Sequence, residues 1–330
     1  MLQTANSPTV EDKPPKVSVC IASYNHAKYL EEMLDSVLAQ TFRDFEVIIV
    51  DDGSKDNSLE ILQKYSSEFP KIKVFTHPDG KNKGISRTAN LAIEKSSGEY
   101  IAFIGSDDIW YPQILEKQVE LMETDAALGI VYAPAHLIDK NGNKLEGTIG
   151  EDVIGEKSPV EAIIKKNVIP AITVMVKRAA LEKVGLYDEK LVYSDWELWI
   201  RILEHYKIGY IDSPLTKYRI HNLNTSIGIP VKRHIKFSQA VFRRLLEKES
   251  RKEINISPRV IERGFVEVNR MMSVKWMDTF IYLSKKGRLK LSLLSLKRAF
   301  SAHPANFLQL RRILVAIKYF LLGVYKSIFR

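Results

Sequence analysis

The chain has 330 residues, of which 45% are hydrophobic and 27% charged, with a formal net charge of +9. That is globular composition, long enough for one large domain or two. The single cysteine, Cys20, excludes an internal disulfide and any Cys-rich zinc site, and its place in an apolar strand suits a buried, inert thiol. The charge is unevenly spread. Residues 231–330 carry 23 Lys and Arg against 6 Asp and Glu, leaving 26 against 34 for the first 230 residues. An acidic front and a basic back point to two parts with different partners, the basic one facing membrane lipid, nucleic acid or an acidic protein.

Met1–Lys16 is polar, contains proline and lacks an apolar stretch, so it reads as a loose tail and not a signal peptide. A first strand spans residues 17–23 and ends in the polar turn Ser23-Tyr24-Asn25-His26. Apolar residues at Leu30, Met33, Leu34, Val37 and Leu38 predict a helix over 27–39. A second strand, 45–50, runs into Asp51-Asp52-Gly53-Ser54, and Asp56 or Asn57 can cap the helix that follows. A short strand over 72–76, a turn at Asn82-Lys83-Gly84 and a helix over 85–94 lead to the strand Tyr100–Ile104, which ends in Gly105-Ser106-Asp107-Asp108. Strands and helices alternating with short connections predict a mostly parallel sheet in an α/β fold, with ligands bound at the carboxyl ends of its strands. Two such strands ending in acids form one acidic crevice, suited to a hard divalent metal with a diphosphate. No G-x-G-x-x-G follows the first strand and no G-x-x-x-x-G-K-[ST] occurs, which counts against a dinucleotide-binding dehydrogenase and a P-loop enzyme.

Beyond the acids, Pro112 opens a helix to about Glu123, and 130–133 is a strand. Asp139–Lys144 reads as a hairpin turn, and 147–158 as a mobile loop. A strand over 172–176 and a helix over 178–184 precede a helix over 194–204, for which Ser194 and Glu197 have capping-box spacing. Strands 208–211 and 216–220 end at His221. From Lys232 the pattern is helical and basic. In Phe307–Arg330 a wide apolar face with a narrow Lys and Arg edge fits a helix lying in a membrane interface; a core or oligomer-interface helix is the alternative. No uncharged apolar run approaches the ~18 residues of a spanning helix, so a cytoplasmic protein is expected.

Taken together, 17–25 (VSVCIASYN), Gln40-Thr41-Phe42, Phe45–Ser54, Asn82–Ile85 with Asn90, Ser97–Asp108, Leu181–Glu189, Asp195–Trp199 and Tyr218–His221 resemble the family 2 glycosyltransferases. These are inverting, nucleotide-sugar-dependent enzymes of the GT-A fold, a Rossmann-like, mixed but mostly parallel sheet flanked by helices. Acid pairs are common, so it is the ordered set over residues 17–225 that is specific.

The resemblance implies roles residue by residue. Ala22 and Tyr24 resemble the residues that hold the nucleotide base, Asp52 the acid that accepts a hydrogen bond from the base, usually uracil, and Lys83 falls on the same nucleotide side. Asp107 would face the ribose and sugar, and Asp108 would ligate Mg²⁺ or Mn²⁺ with the diphosphate. Asp195 resembles the catalytic base, and His221 a histidine that in some members helps bind the metal or diphosphate. Two positions depart from the pattern: Gly105-Ser106 stands where an acid is frequent before the pair, and Ser194 where Glu often precedes the base.

The chemistry is consistent with that assignment. A metal stabilises the leaving diphosphate without proton transfer, so one carboxylate suffices to deprotonate the acceptor hydroxyl. Each residue has a plainer reading. Asp51 and Asp52 could make Asx turns, Asp107 and Asp108 could cap the Pro112 helix, and Asp195 could be a first-turn acid favoured by the helix dipole. Tyr24 could be a core aromatic and His221 a loop residue. Trp110, Trp196 and Trp199 suit packing better than sugar stacking, although Trp110 is close enough to the acids for either role, and His26 and His77 suit the surface.

The expected protein is therefore a tail (1–16), a GT-A glycosyltransferase domain (17–225) and a basic helical extension (226–330). Its expected partners are a nucleotide-sugar donor, a glycan or polyprenyl-diphosphate-linked acceptor of a bacterial surface polysaccharide, and the anionic inner face of the cell membrane. A nucleotidyltransferase is the rival enzyme, and a scaffold whose basic half binds membrane or nucleic acid is the rival non-enzyme. The first lacks a Gly-rich basic loop after strand one, and the second lacks a nucleic-acid-binding motif, so no nucleic acid partner is expected.

Overall fold

The computed structural model describes residues 13–221, 224 and 231–285. In order, the elements are β1 (Val17–Ser23), α1 (Ala27–Leu38), β2 (Phe45–Asp51), α2 (Ser58–Glu68), β3 (Ile72–Thr76), α3 (Ile85–Lys95), β4 (Tyr100–Phe103) and β5 (Ile109–Trp110). Then come α4 (Ile114–Thr124), β6 (Leu128–Tyr132), β7 (Ala135–Asp139), β8 (Lys144–Ile149), α5 (Pro159–Lys165), β9 (Met175–Lys177), α6 (Arg178–Val184), α7 (Ser194–Leu203), β10 (Lys207–Tyr210) and β11 (Thr216–Ile220). Two further helices follow, α8 (Val231–Ser250) and α9 (Pro258–Lys285). The elements fall into two compact units, one ending after β11 and the other formed by Ile164–Asn167 with α8 and α9.

The first unit is organised by a seven-stranded sheet in the order β10-β6-β9-β4-β1-β2-β3, parallel except for β9. β2 is buried along its whole length and β1 nearly so, as strands covered on both faces must be. Val17, Val19 and Ile21 of β1 and Val47 and Ile49 of β2 join Leu30, Met33, Leu34 and Val37 of α1 in one core. On the opposite face, Phe103 meets Tyr187 and Trp199 with ring centroids 5.8 and 6.3 Å apart. Cys20 is buried as expected, and burial pushes its thiol up to about 12. Trp110, Trp196 and Trp199 are at most 4% exposed, so all three pack and none offers a sugar platform.

A second, four-stranded sheet, β5-β11-β7-β8, stands beside the first and places much of the site. β5 is only two residues long, but it pairs antiparallel with β11 in the register Trp110 to Thr216 and Ile109 to Lys217. Just beyond that ladder the residues before β5, Asp107 and Asp108, meet Arg219 of β11 and His221, the residue after it. The β7–β8 connection is the expected hairpin, with Asp139 Oδ1 accepting the Asn141 and Asn143 N–H groups at 2.8 and 3.0 Å.

Three local expectations are corrected. The strand expected from Ile172 starts only at Met175, because Ala171–Thr173 forms a 3₁₀ turn in which Thr173 N–H and Oγ both donate to Pro170 O. Ser194 is not an N-cap in a capping box. Tyr193 occupies that position without a side-chain cap, and Ser194 Oγ instead meets Ser86 Oγ at 2.7 Å. Glu197 is fully buried and paired with Arg201, whose guanidinium also satisfies the carbonyls of Val184, Gly185 and Leu186. A buried carboxylate so paired is not free to reach back to a helix start. The loop expected from 147 is partly strand, since β8 runs to Ile149.

The second unit is helical. α8 and α9 pack through Phe242 and Phe265, and Gly264 permits a close approach, since a Cβ there would lie 3.0 Å from the Phe242 ring. Among the described residues no helix is long and apolar enough to cross a membrane. The Phe307–Arg330 segment lies outside the described residues.

Candidate active site

Parallel pairing of β1 with β2 sets Ser23 opposite Asp51, so Tyr24 and Asp52 leave the sheet at the same edge. Asp51 makes the turn itself: its Oδ1 accepts the Gly53 and Ser54 N–H groups at 3.1 and 2.9 Å. Asp52 is 3% exposed and does something different. Its two carboxylate oxygens accept the backbone N–H groups of Lys83 (2.6 Å) and Gly84 (3.0 Å), 31 and 32 residues on. Gly84 adopts φ +89°, the left-handed region in which glycine is unstrained. The Lys83 side chain turns away to pair with Asp79. His77, expected at the surface, is instead buried: Thr88 Oγ1 lies 3.0 Å and Asp52 Oδ1 3.4 Å from its Nε2.

These residues close around a cavity of about 220 Å³ lined by Ala22, Ser23, Tyr24, Asp52, Gly84 and Ser106, among others. Tyr24 is 41% exposed at its rim and is no core aromatic. Ser23 Oγ is buried with no hydrogen-bond partner among the described residues.

The acid pair sits beside this cavity in a tight turn, with Asp108 N–H donating to Gly105 O. Gly105 leaves room for both carboxylates: a Cβ would lie 2.4 Å from Asp108 Oδ2 and 2.9 Å from Asp107 Oδ1, so a larger residue here requires them to shift. The two carboxylates face different ways. Asp108 is 2% exposed, and its Oδ1 accepts the Arg219 N–H at 2.8 Å. Burial and the Asp107 charge push its carboxyl well above the usual carboxylate range. The Arg219 side chain donates to Asp107 O (2.7 Å) and Glu32 Oε2 (2.6 Å) and lies over the Tyr29 ring. Asp107 Oδ2 meets His221 Nε2 at 2.7 Å and Asn224 Nδ2 at 3.2 Å, while Oδ1 lies 3.8 Å from His26 Nδ1. Ligand atoms of His26, Asp107 and His221 all lie within 4.8 Å of one another. This departs from the expected roles: the acid facing imidazoles is Asp107, and Asp108 points into the protein as the anchor of β11. Neither acid caps α4, whose N-cap is Gln113.

His26, Arg219 and Asn224 are site residues that sequence reading did not single out. His26 read as a surface residue but is 16% exposed at its side chain, and burial pushes its pKa down against the pull of Asp107. The available signal was its place directly after Tyr24-Asn25, where the first strand empties into the crevice.

Asp195 stands in the first turn of α7, half-buried. Burial, and then the Asp195 charge, raise the phenols of Tyr187 and Tyr193, which places that carboxylate near both. The contact of Ser194 with Ser86, next to the cavity-lining Ile85, sets the start of α7 beside the cavity.

Residues 18–185 match the family described as glycosyl transferase family 2. An uncharacterized glycosyltransferase of Rickettsia typhi is 32% identical over 216 residues, covering 64% of this chain and 66% of that protein. One from Methanocaldococcus jannaschii is 36% identical over 212 residues, covering 63% and 72%. The chondroitin synthase of Escherichia coli is 29% identical over 213 residues, covering 64% of this chain and 30% of the synthase. The chain therefore matches only part of each relative. Among solved structures, S. aureus TarS 1-349 in complex with UDP-GlcNAc superposes with a TM-score of 0.62 at 20% identity, covering 93% of this chain and 89% of that one. The mannosyltransferase PcManGT from Pyrobaculum calidifontis, in complex with GDP-Man and Mn²⁺, gives 0.61 at 15% identity, covering 96% and 82%. With its sheet order, its acid turn and a family match over more than half its length, the chain belongs to glycosyl transferase family 2 and is a glycosyltransferase of the GT-A fold.

Proposed function

We propose that the protein transfers a sugar from a nucleotide diphosphate donor, a UDP-sugar, to a hydroxyl of a glycan or lipid-linked acceptor with inversion. The observation that carries this reading is the shared edge of cavity and acid turn: Ser106 lines the cavity, and Asp107, the next residue, holds His221. The base would stack on Tyr24 and lie along Ala22, with the remaining lone pairs of Asp52 as acceptors for the single N–H of uracil.

A divalent ion fits Asp107 and His221, whose oxygen and nitrogen donors already face each other, better than Asp108, whose carboxylate is buried against Arg219 N–H. Bound there, Mg²⁺ or Mn²⁺ supplies electrostatic stabilisation of the diphosphate leaving group. Asp195 accepts the acceptor proton as that oxygen bonds to the anomeric carbon and the bond to the diphosphate oxygen breaks on the opposite face. Asp108 and Arg219 hold the turn that aims Asp107.

The acceptor would be part of a bacterial surface polysaccharide built on a polyprenyl diphosphate at the inner face of the cell membrane. The cationic, apolar Phe307–Arg330 segment supports peripheral docking there. A hydrolysis screen of UDP-, GDP- and dTDP-sugars, with and without Mn²⁺, tests the donor. Mn²⁺-dependent release of UDP is expected, and release only from GDP- or dTDP-sugars overturns the choice of a UDP-sugar as donor. Deleting Phe307–Arg330 is expected to abolish sedimentation with anionic liposomes.

A further inference from the structure

We propose that His26 is a third protein ligand of the metal ion, so that the centre has two imidazoles and one carboxylate and selects a first-row transition dication over Mg²⁺. This rests on the reading of Asp107 and His221 as ligands of that ion.

The position of His26 is fixed by backbone contacts on both sides. Asn25, at φ +54°, turns the chain out of β1 and is held by Ser54 Oγ on its N–H and by Lys55 N–H on its Oδ1. His26 N–H donates to Ser58 Oγ, and its carbonyl accepts the Tyr29 and Leu30 N–H groups that begin α1. The next N–H, of Ala27, donates to Asp56 Oδ2. The ring is then packed edge-on against Tyr29 (6.2 Å) and His221 (5.4 Å between centroids). Nothing local to α1 requires an imidazole there, since the helix start is capped by Ser58 and Asp56 and not by the His26 side chain.

The ring nitrogen Nδ1 is directed at the acid turn, 2.8 Å from Ser106 Oγ and 3.8 Å from Asp107 Oδ1. Two ligands bonded at ~2.1 Å to one ion stand no more than ~4.2 Å apart. The donor atoms of His26, Asp107 and His221 already lie within 4.8 Å of one another, so a small side-chain adjustment brings them to one ion. Mg²⁺ demands oxygen ligands and retains water, whereas imidazole favours later first-row dications. Two imidazoles on one carboxylate therefore tilt the site away from Mg²⁺. The plainer role for His26, a hydrogen-bond partner of Ser106 alone, leaves the metal preference untouched.

The test is calorimetric titration of the full chain with Co²⁺ alone and with Mg²⁺ alone, without nucleotide sugar, and with the visible absorption of bound Co²⁺ followed in parallel. Wild type is expected to bind Co²⁺ more tightly than Mg²⁺. His26→Gln keeps a partner for Ser106 but is a poor ligand, and it is expected to weaken Co²⁺ at least about tenfold and change the absorption band. His26→Asp is expected to lower Co²⁺ affinity and raise Mg²⁺ affinity, an outcome that misfolding cannot produce. Asp107→Asn is expected to lose both ions. If Asp107→Asn binds Co²⁺ like wild type, the metal centre itself is misread. If Asp107→Asn loses Co²⁺ while His26→Gln keeps wild-type affinity and spectrum, or His26→Asp leaves the Co²⁺ to Mg²⁺ ratio unchanged, the role of His26 is overturned and the centre stands.

Discussion

The cavity beside Tyr24 and the acid turn adjoin each other but are assembled by opposite means. The cavity is closed largely by nearby chain: Asp51 turns its own backbone, and Asp52 gathers the N–H groups of Lys83 and Gly84. The acid turn is closed from more than a hundred residues away, by Arg219 on Asp108 and His221 on Asp107. The difference matters for variants. Backbone donors lost from one carboxylate loosen a loop, whereas loss of the β11 contacts unseats both acids.

Four substitutions probe that contrast. Asp195→Asn tests the group outside both regions. It is expected to leave donor binding intact and to lower turnover ~10²–10⁴-fold, checked by calorimetric donor titration beside steady-state transfer. Turnover at wild-type rate removes Asp195 as the base. Arg219→Met strikes the long-range closure. With a buried guanidinium gone from Asp107 O and Glu32, unfolding in urea is expected to shift by about 2–4 kcal/mol, with metal binding lost in the same variant. A variant of wild-type stability that still binds metal would mean the β5–β11 pairing alone positions the acids. Asp52→Ala strikes the local closure and is expected to weaken donor binding while costing about 1–3 kcal/mol for the two stranded N–H groups, with metal affinity unchanged.

The smallest effect is expected at Glu46, at the opposite end of β2. Burial works against its charge, but Lys73, Ser97 and Ser18 outweigh it and hold the carboxyl below its ordinary value. A carboxyl lowered in the folded state stabilises above its unfolded pKa and loses that contribution as pH falls through the folded one. Glu46→Gln should therefore flatten the acid side of the stability curve below about pH 4.5 and leave transfer at neutral pH unchanged. An acid limb as steep as wild type would place the titrating group elsewhere.

Most of the α/β order was legible because it is periodic. Strands covered on both faces read as unbroken apolar runs, and the helices between them repeat at helical spacing; both patterns survive in one dimension. The acids that follow β2 and β4 were legible for the same reason, since the stretch after a strand's carboxyl end is a sequence position. The Ser194–Glu197 spacing misled because a buried arginine four residues further on was a stronger partner for Glu197 than the helix start.

The sequence by itself determined the family, the layered sheet and many of the residues that reach its edge. Only the tertiary structure decided how those residues are partnered. Asp107 and Asp108 are neighbours of identical chemistry, and no local pattern tells them apart. The antiparallel meeting of β5 with β11 does so, because it puts the Arg219 backbone on one and the His221 imidazole on the other. His26 came into view the same way: its ring matters only through what the fold brings opposite it, and opposition across a sheet edge is not written in chain order.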